Sequence, residues 1–244
     1  MNIILLGIAV LLAGSCSVPP STAKITLGIY YTFQPVQQYV AWPERKNGLE
    51  VATTHENFKN EIREMVKNTE LQITNEVFQG ERKIELVINF VERWEIGNFP
   101  WHKPDKTGTA DGDKFFESVH KLKNKPKADI YIALIAVEIS NVKLRSEFAS
   151  TVSSDQTYDA VQKENTILIG AFLKHTKEKN ETLLQHELGH WLGVERHEPQ
   201  ENCDKTQLVM CAYTISKGAI SEVHKKAIKK FYLGRTGQNP PSEY

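Results

Sequence analysis

Residues 24–33 are β-branched and aromatic, end at Gln34-Pro35, and predict a strand. Between 54 and 79 the apolar positions Phe58, Ile62, Met65, Val66, Ile73 and Val77 follow helical spacing. Thr53 and Glu56 fit a capping box at the start of that helix, and Gly80 fits its stop. Residues 84–91 predict a second strand. A long connection rich in Gly, Pro and Asp follows from Gly97 to Pro126, with a short helix suggested by Phe115, Phe116, Val119 and Leu122. Residues 128–139 are almost continuously apolar, as a strand covered on both faces is, and 166–173 read the same way. The polar stretch 143–160 between them predicts an edge strand or a loop.

Strand and helix patterns alternate, so the expected class is α/β (α+β) with a mixed sheet. The chain has 244 residues and 40% hydrophobic side chains, enough for one domain with a sizeable core. Its 30 basic and 30 acidic residues leave no net charge, which argues against nucleic-acid binding by bulk charge. A monomer is expected. Three cysteines, at 16, 203 and 211, are too few for a disulfide scaffold.

Residues 3–13 are nearly all apolar, too short to span a bilayer and the right size for a signal-peptide core. They run into Leu12-Ala13-Gly14-Ser15-Cys16, which resembles the lipobox of bacterial lipoproteins, although Asn2 stands where a basic residue is usual. The resemblance implies cleavage before Cys16, a lipid on its thiol, and attachment to the extracytosolic side of a bacterial cell envelope. The alternative is an ordinary secretory signal. With Cys16 lipidated, Cys203 and Cys211 remain as a pair that an oxidising compartment would bridge. The expected layout is a signal peptide over 1–15, a linker over 16–23, an N-terminal lobe over 24–193, a C-terminal lobe over 194–236 and a tail over 237–244.

Candidate chemistry is concentrated at 186–197. On a helix, His186 and His190 lie one turn apart on the same face, with ~5–6 Å between their Cβ atoms. Two imidazoles so placed can reach one ion, and zinc suits them. Glu187 is one position round from His186, beside the ion and not on it, where it can serve as a general base. Leu184, Leu188 and Trp191 form a separate apolar face that can pack under a sheet. Gly193 can take a left-handed backbone and turn the chain, returning a downstream side chain to the ion. Two helix ligands, a glycine turn and a third ligand leave a fourth position open, as catalytic zinc sites do.

These residues resemble the metzincin clan of zinc endopeptidases, whose signature is HExxHxxGxxH followed by a methionine in a tight turn. His186, Glu187, His190 and Gly193 match in register. The position of the third ligand is Arg196, which has no lone pair to offer, and histidine follows at His197. The resemblance, with one extra residue in the turn, makes His197 the third ligand of a single catalytic zinc ion and Glu187 the catalytic base. Glu195 is the rival third ligand. Met210 resembles the Met-turn, Cys203 and Cys211 flank the loop before it as cysteines do in several branches of the clan, and Tyr213, three residues after Met210 where the clan's spacing is two, resembles an oxyanion partner or extra ligand. Residues 221–232 resemble the clan's closing helix, with Ser221 as N-cap.

The resemblance further implies a mostly parallel twisted sheet with an antiparallel edge strand, an active-site helix, and a small C-terminal lobe ending in a helix. A peptide or protein substrate would lie along the edge strand by strand addition. Two other readings are kept open: a surface lipoprotein that binds without turnover, and a zinc peptidase whose third ligand is a distant glutamate such as Glu222. Asp111-Gly112-Asp113 reads as a helix-capping turn. His55, His102, His120, His175 and His224 show no ligand spacing and are expected at the surface or in packing.

Overall fold

The computed structural model describes residues 22–32, 55–94, 110–121, 126–135, 138–140, 157–170, 172, 175–211 and 218–237. The strands are β1 (Ala23–Thr32), β2 (Ile84–Trp94), β3 (Ala110–Asp111), β4 (Ile130–Leu134), β5 (Ile139–Ser140), β6 (Thr157–Tyr158), β7 (Ala160–Lys163) and β8 (Thr166–Ile169). The helices are α1 (His55–Gln72), α2 (Gly112–Lys121), α3 (Lys177–Trp191), α4 (Gln200–Cys203) and α5 (Glu222–Arg235).

The main sheet has the order β2-β1-β4-β8-β7. Its pairs are parallel except β7–β8, so the edge strand is antiparallel to its neighbour, as expected. β4 and β8 are buried along their whole length, which is what their unbroken apolar runs require. Alternate side chains go to opposite layers. Ile130, Ile132 and Leu134 join the core against α1, α3 and α5, where they meet Ile62, Leu184, Leu188, Ile228 and Tyr232. Tyr131 and Ala133 join a second core with Phe115, Phe116 and Val119 of α2. Helices therefore cover both faces of the sheet, and no helix among the described residues is long and apolar enough to cross a membrane.

Several boundaries differ from the pattern. β2 continues to Trp94, beyond the expected end at Val91. The apolar run 128–139 serves two strands: β4 in the main sheet, and β5 in a small sheet of order β3-β5-β6. A strand pattern records burial and not partner, so a switch of sheet within one run leaves no mark. β8 stops at Ile169, before the expected end at 173, and the next residue, Gly170, passes so close to Ile139 that a Cβ there would lie 2.7 Å from its side chain. Most of the polar 143–160 stretch, and Thr53 of the capping box, lie outside the described residues. Asp111 Oδ1 accepts from Lys114 N–H at 3.1 Å, the expected capping turn.

α1 runs on into a π-helical turn over Ile73–Val77 before Gln79 (φ 55°) and Gly80 (φ 91°) end it. This turn ties the early helix to the late part of the chain. Gln72 Nε2 donates to Gly218 O at 2.8 Å, and Glu76 Oε2 accepts from Ile220 N–H at 2.7 Å. Gly218 also lies against backbone: a Cβ at that position would stand 2.6 Å from the carbonyl carbon of Gln207. Beside it Leu208 and Ala219 form a parallel bridge, with Val209 N–H donating to Ala219 O at 3.1 Å. Gly218→Ala is therefore expected to push 207–209 outward and destabilise the protein by about 1–3 kcal/mol, as overpacking does. Thermal unfolding measures this; an unchanged Tm would show that the strand contact yields freely.

Candidate metal centre and its carboxylate

α3 starts at Thr176, whose side chain accepts from Lys179 N–H at 3.2 Å. Asn180 is buried and donates to Phe172 O at 2.9 Å, while Leu183, Leu184 and Leu188 pack in the core. Trp191 lies at the edge of this core and tilts against Phe231 at 5.1 Å between ring centroids. The apolar side of the helix is thus fixed against the sheet and α5, and its polar side carries His186, Glu187 and His190.

The helix ends as the glycine predicts. Gly193 has φ 97°, its N–H donates to His190 O at 3.1 Å, and Val194 N–H donates to Gly189 O at 3.1 Å. The reversal brings His197 back over the helix. Its Nε2 lies 3.0 Å from His186 Nε2 and 3.1 Å from His190 Nε2. The three histidines form a group able to hold a metal ion, with all ligand atoms within 4.8 Å of one another. Glu195 is exposed and outside the group, and Glu222 is exposed and paired with Lys225 at 2.7 Å.

The far side of two rings decides which nitrogen faces inward. His186 Nδ1 stands 2.8 Å from Val209 O and His190 Nδ1 stands 2.7 Å from Val194 O. A carbonyl can only accept, so each Nδ1 carries the proton and each Nε2 presents a lone pair to the centre. Burial also favours the neutral rings. It lowers His186, reinforced by His190, to about 3, lowers His197 to about 4, and lowers His190 as well. Three neutral imidazoles aimed at one point are the donor set that suits zinc. Tetrahedral bonds of ~2.0–2.1 Å would set the nitrogens about 3.3 Å apart, a few tenths of an ångström wider than the metal-free spacing.

Glu187, the residue after His186, is buried, and desolvation pushes its carboxyl up to about 8. Its one counterweight is the backbone N–H of Gln162, which donates to it from the edge strand β7. The general-base candidate and the edge strand are thus directly joined.

The floor of the site is the segment around Met210. Met210 is buried, and a Cβ on Gly189 would meet its Sδ at 2.7 Å, so the methionine packs under the helix between the two histidines. Val209, just before it, supplies the carbonyl that orients His186. Cys203 and Cys211 form a disulfide with Cα atoms 5.9 Å apart, closing the loop between His197 and Met210. Tyr213 and Cys16 lie outside the described residues. Sequence spacing missed one participant. His224, expected at the surface or in packing, is buried on α5, with ring nitrogens 3.2 Å from Arg196 O and 3.3 Å from Glu198 Oε1.

No family model and no curated protein sequence matches the chain. Among solved structures it is similar to the crystal structure of archaemetzincin from Methanopyrus kandleri, at TM-score 0.51 and 13% identity, over 88% of this chain and 98% of that one. A chain from a chaperone–substrate complex aligns at TM-score 0.44 and 12% identity, over 91% of this chain and 36% of that one, a level that carries no argument. The first likeness is one of fold. The chain shares the fold of that structure, and three of its histidines are placed to hold a metal.

Proposed function

We propose that this protein is a zinc-dependent endopeptidase in which His186, His190 and His197 hold one zinc ion and Glu187 is the general base. The observation that carries the reading is the convergence of three Nε2 atoms, two with their other ring nitrogen tied to a backbone carbonyl, on a helix where the buried Glu187 follows His186 in sequence. Bound there, zinc would lower the pKa of an attacking water and polarise the scissile carbonyl.

The remaining steps belong to the chain. Glu187 takes a proton from the water as it attacks and passes it to the departing amine. A carboxyl whose affinity for protons is raised toward neutral pH is suited to both halves of that transfer. The Gln162 N–H holds the carboxylate in place, so its aim depends on the strand along which substrate is proposed to lie. β7 is the last strand of the sheet, and an extended peptide can add to it by strand pairing. We further propose that Cys16 carries a lipid, which would set the enzyme on the extracytosolic side of a bacterial envelope, as a monomer acting on peptides or proteins and not on nucleic acid.

Cleavage of a denatured protein mixture tests the reading. Activity is expected to vanish on chelation and to return on adding zinc. A protein that holds a full equivalent of zinc yet leaves every peptide intact would instead be a binding lipoprotein.

A further inference from the structure

The turn carrying His197 holds one residue more than the pattern HExxHxxGxxH, and its Glu195 and Arg196 side chains are exposed. Between Gly193 and α4 it has no regular secondary structure to fix its course. What fixes it comes from α5. His224 faces the main chain just before the third histidine, with Nε2 3.2 Å from Arg196 O, and the side chain just after it, with Nδ1 3.3 Å from Glu198 Oε1. Both members of this pair are buried, with side chains 7% and 6% exposed.

Glu198 is held from further directions. Asn202 Nδ2 donates to its carboxylate at 3.2 Å, and Ser221, the N-cap of α5, hydrogen-bonds to it as well. Its backbone N–H donates to Met210 O at 2.9 Å. The residues on both sides of His197 are therefore pinned, Arg196 by its carbonyl at a ring nitrogen of His224 and Glu198 by Asn202 of α4, the α5 N-cap and the Met210 segment, with His224 packed against its carboxylate.

We propose that His224 and Glu198 are positioning residues that hold His197 at the metal and compensate for the extra residue in its turn. The inference rests on the metal reading above. His186 and His190 each lean on a carbonyl, at Val209 and Val194, whereas His197 is oriented through its neighbours in the chain. Partners that orient metal ligands without touching the ion typically change affinity by about 10–100-fold when lost.

The test uses the full chain, freed of metal and titrated with zinc against a competing chelator, and separately loaded with Co(II) for its visible absorption. His224→Ala and Glu198→Ala are each expected to weaken zinc binding by about 10–100-fold. Each should also move the Co(II) spectrum toward that of His197→Ala, and the loss in the double variant should fall short of the sum of the single losses, since both residues hold the same turn. His224→Gln, which keeps a donor for Arg196 O, should recover much of the loss. Wild-type zinc affinity and a wild-type Co(II) spectrum in both alanine variants would overturn the inference, even if the metal-free proteins melted earlier, because that is how a packing role alone behaves. Should His224→Ala not fold, Glu198→Ala and His224→Gln decide the matter by the same readouts. A wild-type chain that binds no zinc overturns the metal reading and this inference with it, whereas unchanged binding in the variants overturns the inference alone.

Discussion

Glu187→Gln is expected to lower peptide hydrolysis by about 10²–10⁴-fold, the range over which a positioned acid–base group contributes, with zinc still bound. The amide keeps the size of the carboxyl and can still accept from the Gln162 N–H, so the helix and its histidines have no reason to move. What it lacks is a site for the proton. The same variant has an opposite effect on stability. Burial raises the wild-type carboxyl from its ordinary 4.5 to about 8, so between those values the folded metal-free protein holds a proton that the unfolded chain has released. Its stability therefore falls as pH rises from about 4.5 and levels off above about 8. At pH 7 the cost is about 3 kcal/mol, from some 2.5 pH units at ~1.36 kcal/mol each. Glutamine escapes it. Metal-free Glu187→Gln should melt above wild type at pH 7 and close to it at pH 4, the trade between stability and activity common at active sites. A variant that cleaves at the wild-type rate would sink the mechanism, and a lower Tm at pH 7 would sink the account of the buried carboxyl.

His197→Ala is expected to remove most zinc binding, a larger loss than the about 10–100-fold that a supporting partner costs. Two helix histidines would remain, and a two-ligand site holds zinc poorly beside the three protein ligands usual in catalytic centres. Glu195→Ala should keep wild-type affinity, since that side chain is exposed and lies outside the three-histidine group. Isothermal titration of the metal-free chains separates the two. Loss of zinc in Glu195→Ala with retention in His197→Ala would reverse the assignment. No carboxylate outside the turn competes among the described residues, because Glu222 is committed to Lys225 at the surface.

Both experiments concern residues that could be named from sequence, and the reason is local. His186, Glu187, His190 and Gly193 act through helix periodicity and one left-handed turn, which operate over a few residues and leave a readable pattern. The buried runs of β4 and β8 were readable for a related reason, since a strand covered on both faces can hold only apolar side chains. His224 was not readable. It sits among Lys225, Lys226, Lys229 and Lys230, which suggest a solvated face, and its partners at 196 and 198 meet it only through the fold. Val209 and Val194 were hidden in the same way, because they act through backbone carbonyls that no side-chain pattern encodes. The small sheet of two-residue strands lies below the length at which alternation can be recognised.

The π-helical turn after α1 sets an order of events in the life of the chain. Gln72 and Glu76 bond to Gly218 and Ile220, and those residues brace the strand whose Val209 carbonyl aims His186. The centre thus waits for contacts between parts of the chain more than a hundred residues apart in sequence, with separations of 146 and 144. Such non-local contacts form late, after their loop-closure entropy has been met. A nascent polypeptide that already carries the whole HExxH helix would therefore still lack a settled histidine cluster until residues 218–220 had been made and docked.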